Sequence, residues 1–242
     1  MNKITKSLLA LCLIMMVGLV QAQNAETILK KHFEAVGQEA LVKKKSMLAN
    51  GQFSYEAFGL QLPMKMYIMR PNKIRVEGTF QNQPFVQAFD GKNGWLMAPW
   101  LGGTPQDLDA GTLRQIRDLA DIDGLLYNYQ DKGFELSYEG TETAEGNEAY
   151  KLKLTKADGA SVLFLINTST YLVIKQIAQS QLKGQPLNSE VVMTDYRKVD
   201  GVTFAHKWVT KANGQTVAAI TFDTLSFDEA IDESIFNKPD GE

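Results

Sequence analysis

Two histidines and one group of acids carry the side chains that catalysis or metal binding would need. His32 lies among apolar residues at helical spacing and His206 in a strand-like segment, and neither has neighbours in a metal-ligand pattern. Zinc sites usually need three or four His, Cys or carboxylate ligands. Glu229, Asp232 and Glu233 are grouped, but a charged surface explains them as well. The sequence therefore predicts neither a metal site nor a cofactor.

The sequence motifs of common enzyme classes are also absent from the 242 residues. We find no Gly-x-Ser-x-Gly nucleophile elbow and no glycine-rich phosphate loop. The one cysteine, Cys12, lies in the apolar amino-terminal segment. A serine, a histidine and an aspartate that are brought together from separate strands would leave no such motif. We expect a protein that is not an enzyme.

Residues 1–22 have the pattern of a cleaved signal peptide. Lysines precede an apolar run from Leu8 to Val20, and Val20-Gln21-Ala22 supplies a small-residue cleavage site. The run is shorter than the about 20 apolar residues that a membrane-spanning helix needs. A lipid-attachment site requires a small residue before its cysteine, whereas Leu11 precedes Cys12. We expect a soluble protein of the periplasm that has no lipid anchor and no thiol.

The mature chain is of ordinary length for one mainly β domain, which we predict over residues 23–242. Without Lys3 and Lys6 it has 23 basic and 28 acidic residues, a net charge of −5. A mildly acidic chain argues against nucleic acid as a partner and against lasting adhesion to anionic lipid. The densest basic run, Lys43-Lys44-Lys45, is typical of a solvated face. We expect a monomer.

Alternation of apolar and polar residues predicts an antiparallel sheet. Every second residue from Leu62 to Ile68 is apolar, whereas Gln61 and Lys65 are polar, as in a strand with one apolar face. Arg70-Pro71-Asn72 ends this run, and Asp90–Gly94 forms a later turn. Asp-Gly and Asn-Gly turns separate further strands near the carboxyl terminus. Counting turns predicts about eleven strands.

Two segments have apolar residues at helical spacing. The first begins near Asn24, and the second is predicted from about Pro105 to Tyr127, with Thr104 as its cap. The apolar stripe of the second helix consists of Leu108, Leu113, Ile116, Leu119 and Ile122.

The stretch from Met64 to Trp100 contains Arg70-Pro71 after an alternating strand, then Asp90-Gly91-Lys92 and Trp95 within the same meander. In this order of motifs it resembles the LolA family of periplasmic lipoprotein carriers. It implies an incomplete antiparallel β-barrel that encloses an apolar cavity and is lidded by helices. It also implies a carrier that binds the acyl chains of lipoproteins and takes them towards the outer membrane. An inner-membrane release complex and an outer-membrane receptor would be its partners.

The resemblance assigns a role to Arg70, because the family's arginine before proline holds the lid helices to the barrel. A guanidinium carries five donors in a rigid fork and can bind several carbonyl groups. The alternative is a surface arginine that ends an edge strand. One departure lies nearby: the family's type member has a tryptophan shortly after this proline, where this chain has Ile74, Arg75 and Val76.

Apolar residues of the predicted strands would line the cavity and bind cargo. Methionine adapts to variable apolar ligands, and aromatic rings add large apolar area. Ordinary core filling is the competing interpretation, and Trp95 in particular is assigned as cavity wall or core. The predicted lining residues are Phe53, Tyr55, Leu62, Met64, Met66, Ile68, Ile74, Val76, Phe80, Trp95 and Met97.

Two other functions fit the same resemblance. One is a general lipid- or hydrophobe-binding protein with no part in lipoprotein sorting. The other is a sensor module of the RseB type, for which the mature chain has little room because RseB carries a second domain.

Overall fold

The computed structural model describes residues 24–239 except 57–58, 183–184 and 213, so the predicted signal peptide lies outside the described residues. The chain divides into two compact units. The first consists of the residues up to Val36 with Asn128–Glu190, and the second of Gly37–Tyr127 with the residues from Val191 onward. The single domain over residues 23–242 stays a prediction. Within the described ranges, no helix has the length and apolar character that crossing a membrane requires.

Thirteen strands form one open antiparallel sheet, which confirms the mainly β fold class. The strands are β1 Ser46–Tyr55, β2 Leu60–Met69, β3 Lys73–Phe80, β4 Gln83–Phe89, β5 Gly94–Met97, β6 Gln106–Asp107, β7 Glu135–Ala144, β8 Asn147–Thr155, β9 Ser161–Asn167, β10 Val173–Leu182, β11 Gln185–Val199, β12 Val202–Ala212 and β13 Gln215–Phe227. Their order in the sheet is β6-β5-β4-β3-β2-β1-β13-β12-β11-β10-β9-β8-β7. The prediction of about eleven strands was low, and β6, with only two residues, is too short for an alternation pattern.

The described helices are few and short. Helix α1 covers residues 24–36, as expected near Asn24. Helix α2 is Gln38–Leu41 and α3 is Ala110–Ala120. Two 3-10 helices follow β5 and β13, at Pro99–Leu101 and Glu233–Phe236.

Helix α3 is shorter than the predicted Pro105–Tyr127, and its cap is Asp109 rather than Thr104. The Asp109 carboxylate accepts hydrogen bonds from the backbone N–H groups of Gly111 at 2.8 Å and Thr112 at 3.1 Å. The side-chain hydrogen bond from Thr112, followed by these backbone bonds, lowers the pKa of Asp109. The predicted first turn is extended because Gln106 pairs with Leu96 of β5.

In the first unit, α1 is attached through Tyr171, which precedes β10. The Nδ1 atom of His32 lies 2.8 Å from the Tyr171 carbonyl oxygen. That oxygen can only accept, so Nδ1 carries the proton. Lys31 Nζ donates to the Tyr171 hydroxyl at 3.1 Å. Burial lowers the pKa of His32, so this histidine is a neutral, hydrogen-bonded core residue.

In the second unit, one face of the strands packs against α2 and α3. We call this the inner face; it contains Met47, Met66 and Ile68, which are at most 5% exposed. The strand register fixes their alignment, because Met47 pairs with Ile68 and Ala49 with Met66. Helix α3 contributes buried residues to the same cluster. This cluster is the main apolar core of the unit.

The opposite, outer face of β4 and β5 is covered by the carboxyl-terminal segment. Trp95 packs with Val86 and Ala88, and its Nε1 donates to the Phe236 carbonyl at 2.9 Å. Arg75 donates to the Ile235 carbonyl at 2.8 Å. The 3-10 helix at Glu233–Phe236 is therefore held by the buried Phe236 ring and by side-chain hydrogen bonds to its carbonyl groups.

Replacing Phe236 with alanine tests how much this attachment stabilises the second unit. Phe236 is fully buried, and truncation of a buried phenylalanine costs about 3–5 kcal/mol. We expect urea unfolding to show a loss in that range. Trp100→Ala is the control, because Trp100 is 60% exposed and its loss should change stability by less than about 1 kcal/mol. Equal losses in the two variants would contradict this assignment.

Candidate functional site

Nine of the eleven predicted lining residues share the inner face of the second unit. Directly paired residues in antiparallel strands project to the same side. Phe53 pairs with Leu62, and Ile68 pairs with Ile74. The period-two alternation then places the others. The nine are Phe53, Tyr55, Leu62, Met64, Met66, Ile68, Ile74, Val76 and Phe80.

Trp95 and Met97, which were predicted to line the cavity, lie on the outer face and share no surface with Met64. For Trp95 this favours the alternative of a core residue. Gly94 pairs with the inner-face residue Phe89, which places Trp95 on the other side of the sheet. The face of a short hairpin strand depends on its turn, and β5 has only four residues from which to read a pattern. Trp95 is therefore outer-face core.

Part of the inner face lies directly under the helices. Met64, Met66 and Ile74 are at most 3% exposed. They form one cluster with Leu41 of α2 and with Ile116 of α3. In this structure the helices' own side chains occupy the space that the prediction gave to an acyl chain. A ligand at that position would have to displace them.

The inner face continues beyond the helices as a half-exposed apolar row. Trp208 of β12 pairs with Ile220 of β13, Ile220 pairs with Phe53, and Phe53 pairs with Leu62. All four side chains are half-buried. We call this set the open row. Strands lie about 4.8 Å apart, so the row extends for about 14 Å across four strands.

An aromatic group flanks the inner face near β3 and β4. The Trp100 ring lies 5.9 Å from the Phe80 ring and 6.3 Å from the Phe85 ring, between centroids. Trp100 is the most exposed large apolar side chain of the described residues. The contact between these rings could not be predicted, because no local pattern in the sequence shows which rings meet.

Arg70 lies at the end of β2 and binds the chain next to both helices. Its Nε donates to the Lys44 carbonyl at 2.7 Å, and an Nη donates to the Leu41 carbonyl at 3.2 Å. Its two Nη atoms bind the Asp123 carboxylate at 2.6 and 2.5 Å. Leu41 ends α2, and Asp123 follows α3 by three residues. We call this arrangement the arginine clamp.

The clamp contains a bidentate ion pair between Arg70 and Asp123, and both side chains are partly buried. The Arg70 and Asp123 side chains are 29% and 16% exposed. Hydrogen bonding to Asp123 is the main cause that raises the pKa of Arg70, so the guanidinium stays charged at any physiological pH. The alternative of an arginine ending an edge strand was wrong, because β2 lies between β1 and β3.

The candidate catalytic residues have structural partners instead. His206 Nδ1 lies 3.0 Å from the Phe204 carbonyl. Asp232 accepts from the Ser234 N–H at 2.9 Å, which lowers its pKa, and Glu233 pairs with Lys73. Among the described residues, no three His, Cys, Asp or Glu side chains are grouped to hold a metal ion.

A cleft of about 550 Å³ opens beside the same strands. Most of the residues that line it have their side chains on the outer face, including Lys65, Arg75 and Glu77. Arg75 and Glu77 form an ion pair at 2.7 Å within it. The charged side chains in this lining are unsuited to an acyl chain, so the apolar inner face is the better candidate site.

Comparisons with known proteins establish the fold. No family model matches the chain, and no curated protein matches it in sequence. Solved structures do match. A LolA superfamily protein from Nitrosomonas europaea aligns with a TM-score of 0.61 at 16% identity, covering 88% of this chain and 97% of that one. A DUF1329 family protein from Desulfovibrio piger aligns with a TM-score of 0.62 at 11% identity, covering 87% and 97%.

A third match is a putative outer membrane lipoprotein-sorting protein domain from Vibrio parahaemolyticus. It has a TM-score of 0.58 at 15% identity and covers 85% of this chain and 96% of that one. Similarity at these identities concerns the fold alone. The chain has a LolA-like fold, which confirms the structural part of the resemblance.

The clamp can be tested by replacing Arg70 with leucine. The change leaves the Asp123 carboxylate without its charged partner, which costs about 1–3 kcal/mol for a buried polar group. We expect amide hydrogen exchange in α2 and α3 to accelerate about tenfold while the strands exchange as in the parent.

Arg114→Leu is the matched control, because it removes the same charge from an exposed position on α3. Exchange in α2 and α3 that is equally slow in the parent and in Arg70→Leu would show that the clamp does not hold the helices.

Proposed function

We propose that this protein binds the acyl chains of lipoproteins on its inner face and carries them through the periplasm towards the outer membrane. The observation that carries the proposal is the arginine clamp, in which one side chain binds the chain beside both helices that cover the apolar face. The helices are thereby attached through polar groups. When the helices move away, water can take over the hydrogen bonds of these groups. A permanent core needs no such attachment.

The chemistry of the inner face supports an acyl ligand. Burial of hydrocarbon contributes about 0.8 kcal/mol per methylene group, so a face of apolar side chains suffices for affinity. Met64 and Met66 under the helices are flexible enough to repack around a chain. The open row offers a half-exposed apolar surface where a ligand can make first contact.

The remaining expectations belong to the same proposal. A signal peptide over residues 1–22 delivers the protein to the periplasm, and the mature chain acts as a binding protein rather than an enzyme. Its ligands are acylated lipoproteins or lipids. An inner-membrane complex would load it, and an outer-membrane receptor would unload it.

A general lipid-binding function is the second candidate. It is favoured by the open row, whose four residues, Phe53, Leu62, Trp208 and Ile220, include no charged group that could recognise the peptide part of a lipoprotein. Such a surface would accept hydrocarbon from several sources.

Native mass spectrometry of the mature protein, purified gently from periplasm, distinguishes these functions. We expect an adduct with the mass of an acylated peptide or lipoprotein. A phospholipid adduct would instead support the general binder. A bare protein that also takes up no apolar probe would contradict lipid binding.

A charge in the open row should weaken hydrophobe binding. We expect Leu62→Glu to lower the affinity for an apolar fluorescent dye at least tenfold, because an ionised carboxylate next to bound hydrocarbon loses its hydration. Gln61→Glu is the control, since it places the same charge on the exposed, opposite side of β2. A folded Leu62→Glu protein that binds the dye as well as Gln61→Glu would show that the open row is not the binding surface.

A further inference from the structure

The indole N–H of Trp208 is buried and has no hydrogen-bond partner among the described residues. This group can only donate, and a buried donor without an acceptor costs about 1–3 kcal/mol. Trp95 shows the usual arrangement, since its N–H donates to the Phe236 carbonyl at 2.9 Å. Unpaired buried groups are rare in native proteins, and each one calls for an explanation.

The position of Trp208 offers an explanation for its unpaired N–H group. Through its pairing with Ile220 it forms one end of the open row. Its ring also contacts the packed core, with centroids 5.1 Å from Phe222 and 5.7 Å from Phe204. Trp208 therefore stands at the boundary between the half-exposed row and the buried cluster.

Nearby aromatic and aliphatic side chains supply no acceptor at this boundary. Phe204, Phe222 and Ile220 have no polar side-chain atom. His206 Nδ1 is paired with the Phe204 carbonyl, and neither nitrogen of that ring accepts a hydrogen bond from the indole. A ligand on the open row could supply the missing acceptor. A plain hydrocarbon cannot do so, whereas an acylated molecule brings a carbonyl oxygen at the head of each chain.

We propose that the Trp208 indole N–H donates a hydrogen bond to the ester or amide carbonyl of an acyl chain bound along the open row. This inference rests on the proposed function and adds the group by which the site distinguishes acyl ligands from hydrocarbon. The acyl chain lies on the apolar side chains of the open row, and Trp208 binds its carbonyl group at the boundary with the core. The head of the ligand thereby has a defined position.

Two probes with eleven carbon atoms, methyl decanoate and undecane, test this recognition by displacement of an apolar dye. We expect Trp208→Phe to weaken methyl decanoate binding about three- to tenfold and to change undecane binding less than about twofold, as loss of one hydrogen bond predicts. Comparing the two probes cancels the apolar area that both lose with the indole. Equal effects on the two probes would overturn the proposal and leave Trp208 a packing residue.

Nuclear magnetic resonance of the parent protein gives a second readout that needs no folded variant. The indole proton of Trp208 should move downfield with methyl decanoate and stay in place with undecane, whereas the Trp95 indole proton stays in place with both. An unmoved Trp208 proton in the presence of bound methyl decanoate would overturn the proposal. A parent that binds neither probe would overturn the proposed function itself, and this inference with it.

Discussion

The guanidinium of Arg70 is the interaction on which the arrangement of the second unit depends. Helices α2 and α3 are four and eleven residues long, too short to be stable by themselves in water. They persist because their apolar residues pack on the inner face and because Arg70 binds the chain beside each of them. The packing is non-directional, whereas the clamp fixes which segments come together. Coverage of the inner face therefore combines apolar packing with the contacts of one charged side chain that follows a strand.

The fold could be predicted where a local pattern encodes it. Alternation from Leu62 to Ile68 specified a strand and its apolar face, because successive side chains of a strand point to opposite sides of the sheet. The two-residue strand β6 carries no such period, and its pairing with β5 is what delays the start of α3 to Ala110. Both Thr104 and Asp109 are good cap residues, so only the tertiary pairing decides between them.

The candidate site was predictable only in part, because its defining contacts join distant residues. Arg70 was identified through its resemblance to a family motif, yet its partner Asp123 lies 53 residues further along the chain, and no spacing rule reaches that far. The short strand β5 concealed the face of Trp95 and Met97. The Trp208 indole N–H is unpaired because no acceptor lies beside it among the described residues. The sequence alone does not show which groups surround a side chain.

An open sheet ends in two edge strands, and an edge strand can pair with another molecule, which is a hazard for self-assembly at high concentration. The end strand β6 offers only two residues, and Asp107 on it is held in an ion pair with Lys238 at 2.8 Å. The other end strand, β7, is longer, but it carries Glu135, Glu139 and Glu142, and its register is broken by a bulge after Tyr138. Charged side chains and an irregular backbone disfavour pairing with a second copy that arrives edge to edge. A sheet that leaves itself open can in this way stay dispersed in a crowded compartment instead of growing into fibres.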